Sequence, residues 1–386
     1  MAHRYHGVLP AAGCYYLAYG RDGQPPSHEG TLRVEHRAGR VLASGDLYVF
    51  DDSRLNEPIS AGSVPAPGPG VPAFAVAGYA YHLRVTRLEP AASGFTLGFE
   101  AHRYIAHGAR LLDDGHWSRE GTITMVMQRA EAPPGHPSAD RFYTGEFVAE
   151  PNGAAKTMRL QMGHVSSALR KAVIEIDRVK DTRTPLDNGA GVSWASVFRS
   201  FDWEVSVVDS DHDLTRAAPA SDGIAVWTAA DARAAMIARR NSHDLDREWR
   251  YYVVIAGTIQ APGKAHGHMF HSRREALFVG GHSLFPDEPQ YGALRGQRLD
   301  TTREFFRTIV HEVGHAMGLG HNDTGFHFMR PTPVIAAQAS AEHPFPGNVQ
   351  WSFDEADLHA LRHRPDILVR PGGALQGVED VGEPAP

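Results

Sequence analysis

Up to about residue 130, apolar and polar positions alternate with a period of two in several short runs. Leu32 and Val34 oppose Arg33 and Glu35 in TLRVEHR; Tyr81, Leu83 and Val85 share a face in YHLRVT; Phe95, Leu97 and Phe99 do so in FTLGFE, and Ile123, Met125 and Met127 in TITMVMQ. Successive side chains of a strand point to opposite faces, so each run predicts a strand with one buried side. Glycine-containing turns such as RAGR and PAASG join the runs and predict hairpins. Half-buried antiparallel strands must cover one another, which predicts an antiparallel β-sandwich or barrel. The stretch SVPAPGPGVP (63–72) is too rich in breakers to be an element.

The segment EAPPGHPSAD (131–140) reads as a linker, and beyond it the pattern alternates between strands and helices. MRLQMGHV (158–165) reads as a strand. SSALRKAVIEIDRV (166–179) reads as a helix, with Leu169, Val173 and Ile176 on one stripe and Ser166 or Ser167 as cap. FDWEVSVV is a strand, AADARAAMIARR a helix, RYYVVIAGTI a central apolar strand and EALFVGG a short strand. A further helix starts at Thr301, with Glu304 at capping-box spacing and an apolar face of Phe305, Phe306, Ile309, Val310, Val313 and Met317. FDEADLHALRHRPD (353–366) reads as the last helix, with Asp354 as its cap. The expected division is a β-rich domain over 1–139, a second domain over 140–370 and a mobile Gly/Pro-rich tail over 371–386.

The helix after Thr301 carries HEVGHAMGLGH, residues 311–321. His311 and His315 are four apart, one turn above the other on one side, where two imidazoles can share a metal ion. Glu312 is turned about 100° from His311, beside the metal rather than on it. Gly318 tolerates positive φ, so the chain can leave the helix sharply and return His321 to the first two histidines. Three neutral nitrogens suit zinc and leave a fourth position open; a structural zinc site has four protein ligands and needs no Glu312. Zinc lowers the pKa of its water toward about 7, and a neighbouring carboxylate can take that proton and pass it to a leaving amine.

These residues resemble the signature of the metzincin clan of zinc endopeptidases, H-E-x-x-H-x-x-G-x-x-H followed by a methionine turn. In HNDTGFHFMRP, Met329 stands eight residues after His321, a spacing similar to the matrixin branch. The resemblance implies an α+β chain whose second domain is a zincin fold, a twisted mixed sheet above an active-site helix. It implies His311, His315 and His321 as ligands of one Zn2+, Glu312 as general base and then acid, and Gly318 and Met329 as supports. By the same resemblance, Pro331, Val334 and Ile335 in RPTPVIAA line a pocket for an apolar substrate residue, and 267–280 supplies an edge strand for an extended substrate. Asn322 departs from the aspartate common in matrixins, and no cysteine-switch sequence is present. The function expected is a zinc-dependent endopeptidase acting on proteins or peptides. The rivals are a zinc hydrolase of a small amide and a β-domain binding or adhesion protein with a degenerate zinc domain.

Composition narrows the field. Of 386 residues 42% are hydrophobic and 22% charged, the balance of a folded globular protein. A formal net charge of −7 argues against a broad basic surface for nucleic acid. One cysteine, Cys14, excludes an internal disulfide. No apolar run reaches the ~18 residues of a membrane span. The first residues carry no signal-peptide pattern, leaving the cytoplasm or a non-classical export route open. His266, His268 and His271 in HGHMFH, read as polar loop or edge residues, are candidates for a second metal. Asp209, Asp211 and Asp213 in DSDHD, read as a solvated turn, are candidates for Ca2+.

Overall fold

The computed structural model describes residues 9–50, 68, 70–106, 115–149, 155–215, 226–261, 265–270, 273–299 and 301–374. The chain forms two compact units. The first comprises the residues up to Arg170 together with Arg362–Ile367; the second comprises Lys171–Leu361 and the residues from Leu368 to Gly377.

The first unit is a closed eight-stranded barrel: β1 (Gly13–Arg21), β2 (His28–Arg37), β3 (Arg40–Val49), β4 (Tyr79–Ala91), β5 (Gly94–Ala106), β6 (Gly115–Arg129), β7 (Phe142–Ala149) and β8 (Lys156–Ser166). Neighbours pair antiparallel in chain order, and β8 closes on β1 with Tyr15 opposite His164 and Leu17 opposite Met162. The period-two positions fill the interior: Tyr15, Leu17, Leu32, Val34, Leu47, Leu83, Phe95, Leu97, Phe99, Met125, Met127, Leu160 and Met162 form one cluster. Six strands alone would leave two open edges, and β7 and β8 remove them. The 131–140 stretch is thus a connection inside the barrel, not a linker after it. A cut there would strand β7 and β8 on the wrong fragment.

The barrel unit also contains a buried charge network. Arg33 pairs with Asp46 at 2.6 Å and with Asp366 at 2.9 Å, all three nearly inaccessible to solvent. Arg170 reaches the same Asp366 oxygen at 2.9 Å. Tyr79 donates to Asp46 at 2.6 Å and Tyr48 to Asp366 at 3.0 Å. His363 and Arg362 both meet Glu35.

The second unit is built on a five-stranded sheet. The elements after the barrel run β9 (Arg170–Arg178), α1 (Trp194–Arg199), β10 (Trp203–Asp209), β11 (Val226–Trp227), α2 (Ala229–Arg239), β12 (Arg250–Ala256), β13 (Thr258–Ile259), β14 (Gly267–Met269), β15 (Ala276–Gly280), α3 (Thr302–Ala316), α4 (Thr332–Ala337), α5 (Glu355–His363) and α6 (Asp366–Val369), the end of α5 and the start of α6 belonging to the first unit. The strand order is β10-β9-β12-β15-β14. β12 runs parallel to both neighbours, whereas β14 pairs antiparallel with β15 and forms an edge. Tyr252, Val254 and Ala256 pack with Phe278 and with Ala232 and Met236 of α2. Tyr251, Val253 and Ile255, on the opposite face, are equally buried. Burial on both faces explains why the run reads as continuously apolar.

The fold expected from the sequence, an α+β chain with a metzincin-like zincin domain, is overturned. Among the described residues strand outweighs helix, and the largest sheet is the closed antiparallel barrel. The segment 166–179 shows why: read as a helix, it supplies the end of β8 and all of β9. Short apolar runs fit helical spacing and a strand buried on both faces equally well. Residues 371–374 of the expected tail are buried, with Arg274 donating to the Ala374 carbonyl; 375–386 lie outside the described residues, as do 63–67 and 69 of the proline-rich stretch. Among the described residues, no helix is long and apolar enough to cross a membrane.

Candidate metal centre

The site begins with a well-capped helix. Thr301 accepts from the Glu304 amide at 3.4 Å, and α3 then buries Phe305, Phe306, Ile309, Val310 and Val313. It ends at Gly318, where φ is +85°. The Leu319 amide donates to the Gly314 carbonyl and the Gly318 amide to the His315 carbonyl, both at 3.0 Å, a glycine-dependent helix stop. A Cβ at 318 would run into the Leu368 carbonyl, so glycine is required for space as well as for φ.

That turn returns His321 to the helix. The Nε2 atoms of His311, His315 and His321 form a triangle with sides of 3.1, 3.2 and 3.2 Å. Two opposite ring nitrogens are committed to backbone oxygens: Nδ1 of His311 lies 2.6 Å from the Phe328 carbonyl, and Nδ1 of His315 lies 2.9 Å from the Leu319 carbonyl. A carbonyl can only accept, so each Nδ1 carries the proton and each Nε2 turns a lone pair inward. Burial holds all three imidazoles below their usual pKa, most strongly His311, where the Arg307 charge adds to it. These two inward lone pairs, with the His321 Nε2 beside them, make a set of three nitrogens able to hold a cation. Zn–N bonds of about 2.0–2.1 Å at a tetrahedral centre put ligand nitrogens ~3.3 Å apart, close to this triangle. The donor set fits zinc.

Glu312 is buried beside the triangle, and burial pushes its carboxyl up to about 8 against an opposing pull from Arg307. Its side chain rests on Gly267 of β14: a Cβ there would lie 2.5 Å from the Glu312 Cγ and 2.8 Å from its Oε1. Met329 is fully buried, and a Cβ at Gly314 of α3 would collide with its sulfur. Arg307, also fully buried, donates to the Phe328 and Arg330 carbonyls and, at 2.6 Å, to the Thr332 hydroxyl, which fastens the segment around Met329 to α3. Asn322 has a reason to be an amide: it donates to Asp354 at 3.1 Å and to Asp357 at 3.0 Å, where an aspartate would add a third negative charge.

The triad borders a cleft of about 510 Å³, whose walls include His266, Gly267, His268, Tyr291 and Pro331–Pro333. Of the three expected pocket residues only Pro331 lines it. Val334 and Ile335 lie on α4, and Ile335 is fully buried in the protein interior. Among the described residues, the triad is the one group of three or more side chains arranged to hold a metal. Asp209 instead meets Thr184 and His212, and Asp211 meets Arg239, so DSDHD does not close on a cation. His266 and His268 form no second metal group with a third ligand, and His271 lies outside the described residues. Cys14 is buried in β1, and burial pushes its thiol up to about 12, so it is no ready thiolate ligand. Sequence reading missed Arg307, Gly267 and the two carbonyls that orient the histidines.

One zinc ion per chain is expected from this geometry. Its affinity falls in acid, because protons compete for the same three nitrogens. Metal analysis of the purified protein should find it, and His311→Ala with His315→Ala should lose it. Zinc retained by that double variant would place the metal elsewhere. In comparisons with known proteins, the chain matches no family model, no curated protein and no solved structure, so its own residues carry the assignment.

Proposed function

We propose that the chain is a zinc-dependent endopeptidase. The observation that carries this reading is the convergence of three neutral imidazole nitrogens beside a buried carboxylate, in a cleft bordered by an edge strand. When bound, zinc supplies Lewis-acid polarisation of the scissile carbonyl and acidifies water. His311, His315 and His321 would hold it, the first two rings being oriented by the Phe328 and Leu319 carbonyls. The Glu312 carboxylate takes a proton from the attacking water and returns it to the departing amine. Among the described residues β14 pairs with β15 alone, so its outer edge can take an extended substrate chain as an added strand. That edge favours a polymer over a small amide. The likeness to the metzincin clan supports the reading at residues 311–329, and the fold does not add to it.

Incubating the zinc-loaded protein with a peptide library and with simple amides tests the reading. Cleavage of internal peptide bonds that stops with a chelator is expected. Hydrolysis of small amides alone would favour the rival enzyme, and no hydrolysis of either would remove both.

Gly267→Ala tests how the base is held. The new methyl would press on Glu312, and misplacement by about 1 Å costs on the order of 10²-fold in rate. Turnover should fall at least about tenfold with zinc content unchanged. An unaltered rate would mean that β14 does not position the carboxylate.

A further inference from the structure

We propose that the barrel carries a polypeptide site of its own, independent of the zinc reading: the seam between β6 and β7 takes an extended segment of a partner protein as an inserted strand. All of β7, from Phe142 to Ala149, pairs with β8, but only Thr144 and Tyr143 pair with β6, opposite Gln128 and Arg129. The Ala130 amide donates to the Phe142 carbonyl at 3.0 Å, so even-numbered residues turn their backbone groups across this seam. Continued in register, Val126 would meet Glu146 and Thr124 would meet Val148, and among the described residues neither pair forms. The backbone N–H and C=O groups of Thr122, Thr124 and Val126, and of Glu146 and Val148, therefore face the seam without a strand partner, as at an open sheet edge. A cleft of about 580 Å³ opens where the pairing stops. Its sides are residues 120–124 of β6 and 146–149 of β7, and it reaches inward to Tyr19 and Ala101.

The two faces of the seam choose the occupant. On the inside, Tyr19, Ile123 and Phe147 pack against the barrel core, with the Tyr19 and Phe147 rings stacked at 6.2 Å. Every second side chain of an inserted strand points inward, and there it meets apolar surface. On the outside, Val126 and Val148 are left 45% and 66% exposed, each on one side of the seam. Beside them stand two exposed carboxylates: Glu120, which has no ion pair among the described residues, and Glu146, which meets Arg159 at 2.9 Å. An outward lysine or arginine covers a valine with its stem and carries its charge to a carboxylate. The same carboxylates repel phosphates, which argues against a nucleic-acid strand. No proline stands on either facing stretch to blunt the edge. The occupant is thus an extended segment in which apolar and basic residues alternate, held by main-chain hydrogen bonds and selected by its alternate side chains.

The test uses the zinc-loaded full chain bearing Glu312→Gln, so that no peptide is consumed. Its probes are short peptides: alternating Val and Lys, the same composition in blocks, alternating Val and Glu, and the first with every second backbone nitrogen methylated. The first should bind at least about tenfold more tightly than each of the others by calorimetry, since a few hydrogen bonds or one charge pair decide the difference. On binding, hydrogen exchange should slow at the amides of Thr122, Thr124, Val126, Glu146 and Val148, and stay unchanged at Ile123 and Phe147, which turn toward β5 and β8. Thr124→Pro removes a seam donor while sparing the β5 ladder, and should weaken binding at least about tenfold. Equal binding of the block or methylated peptides, or protection confined to β14, overturns the seam as the site. Protection of the same amides that rises with protein concentration, without peptide, gives the seam to a second copy of the chain and overturns the partner assigned here.

Discussion

Glu312→Gln is expected to lower peptide turnover by at least about two orders of magnitude while zinc stays near one per chain. General acid–base catalysis contributes about 10²- to 10⁴-fold, and Gln keeps the size and polarity of the side chain but cannot take a proton. Zinc should be unaffected, because His311, His315 and His321 provide the converging nitrogens and Glu312 is not among them. The fold should survive too: the carboxyl lies buried against Gly267 with burial opposing its ionisation, so a neutral amide relieves a cost rather than creating one. Rate, metal content and thermal unfolding measured on one preparation separate the outcomes. An unaltered rate would turn 311–321 into a structural metal site. Loss of zinc would make Glu312 a ligand or an essential support of one.

Asp46→Ala should destabilise the barrel unit by about 3–5 kcal/mol, the typical cost of leaving one partner of a buried ion pair uncompensated. Arg33 is fully buried between Asp46 and Asp366, and removing Asp46 also strips the Tyr79 hydroxyl and the Asp366 amide of their acceptor. Burial alone would raise the Asp46 carboxyl, but Arg33, with His82 and Arg170, holds it well below the usual carboxylate range. A depressed folded-state pKa contributes stability that is complete above the unfolded value of about 3.9 and disappears as pH falls toward the folded one. The gap between parent and variant should therefore be full at neutral pH and narrow only below about pH 4. Denaturant unfolding at pH 7 and at pH 3 measures it. A variant as stable as the parent at pH 7 would show that the network is solvated in solution.

What the sequence revealed of the site was local. His311, His315, Glu312 and Gly318 sit within eight residues, on a helix whose cap and apolar stripe are themselves local signals, and Met329 follows at a short fixed distance. What it concealed acts through the backbone or from far along the chain. The Phe328 and Leu319 carbonyls leave no mark in a residue pattern, and Gly267 meets Glu312 from 45 residues away. Ile335 was misplaced because α4 turns that side chain inward, which no apolar count could reveal. Within the fold, four strands of the first 130 residues were legible because apolar and polar residue types alternate along them, even in β2, where Arg33 and Glu35 are themselves buried. β9 was not, because burial on both sides erases the alternation that distinguishes strand from helix. β7 went unread and β8, read as a strand, was given to the wrong domain for a different reason: a proline-rich stretch precedes them, and nothing local says that a barrel edge still waits to be paired.

The charge network gives the order of synthesis a meaning. Arg170 and Asp366 are 196 residues apart in the chain. At roughly 5–20 residues per second, about 10–40 s of translation separate them. During that interval the eight strands are already outside the ribosome, with Arg33 and Arg170 lacking the carboxylate they share in the finished protein. The nascent barrel can complete this network only once Asp366 has been made, and a chain ending before Asp366 would lack the carboxylate that Arg33 and Arg170 share.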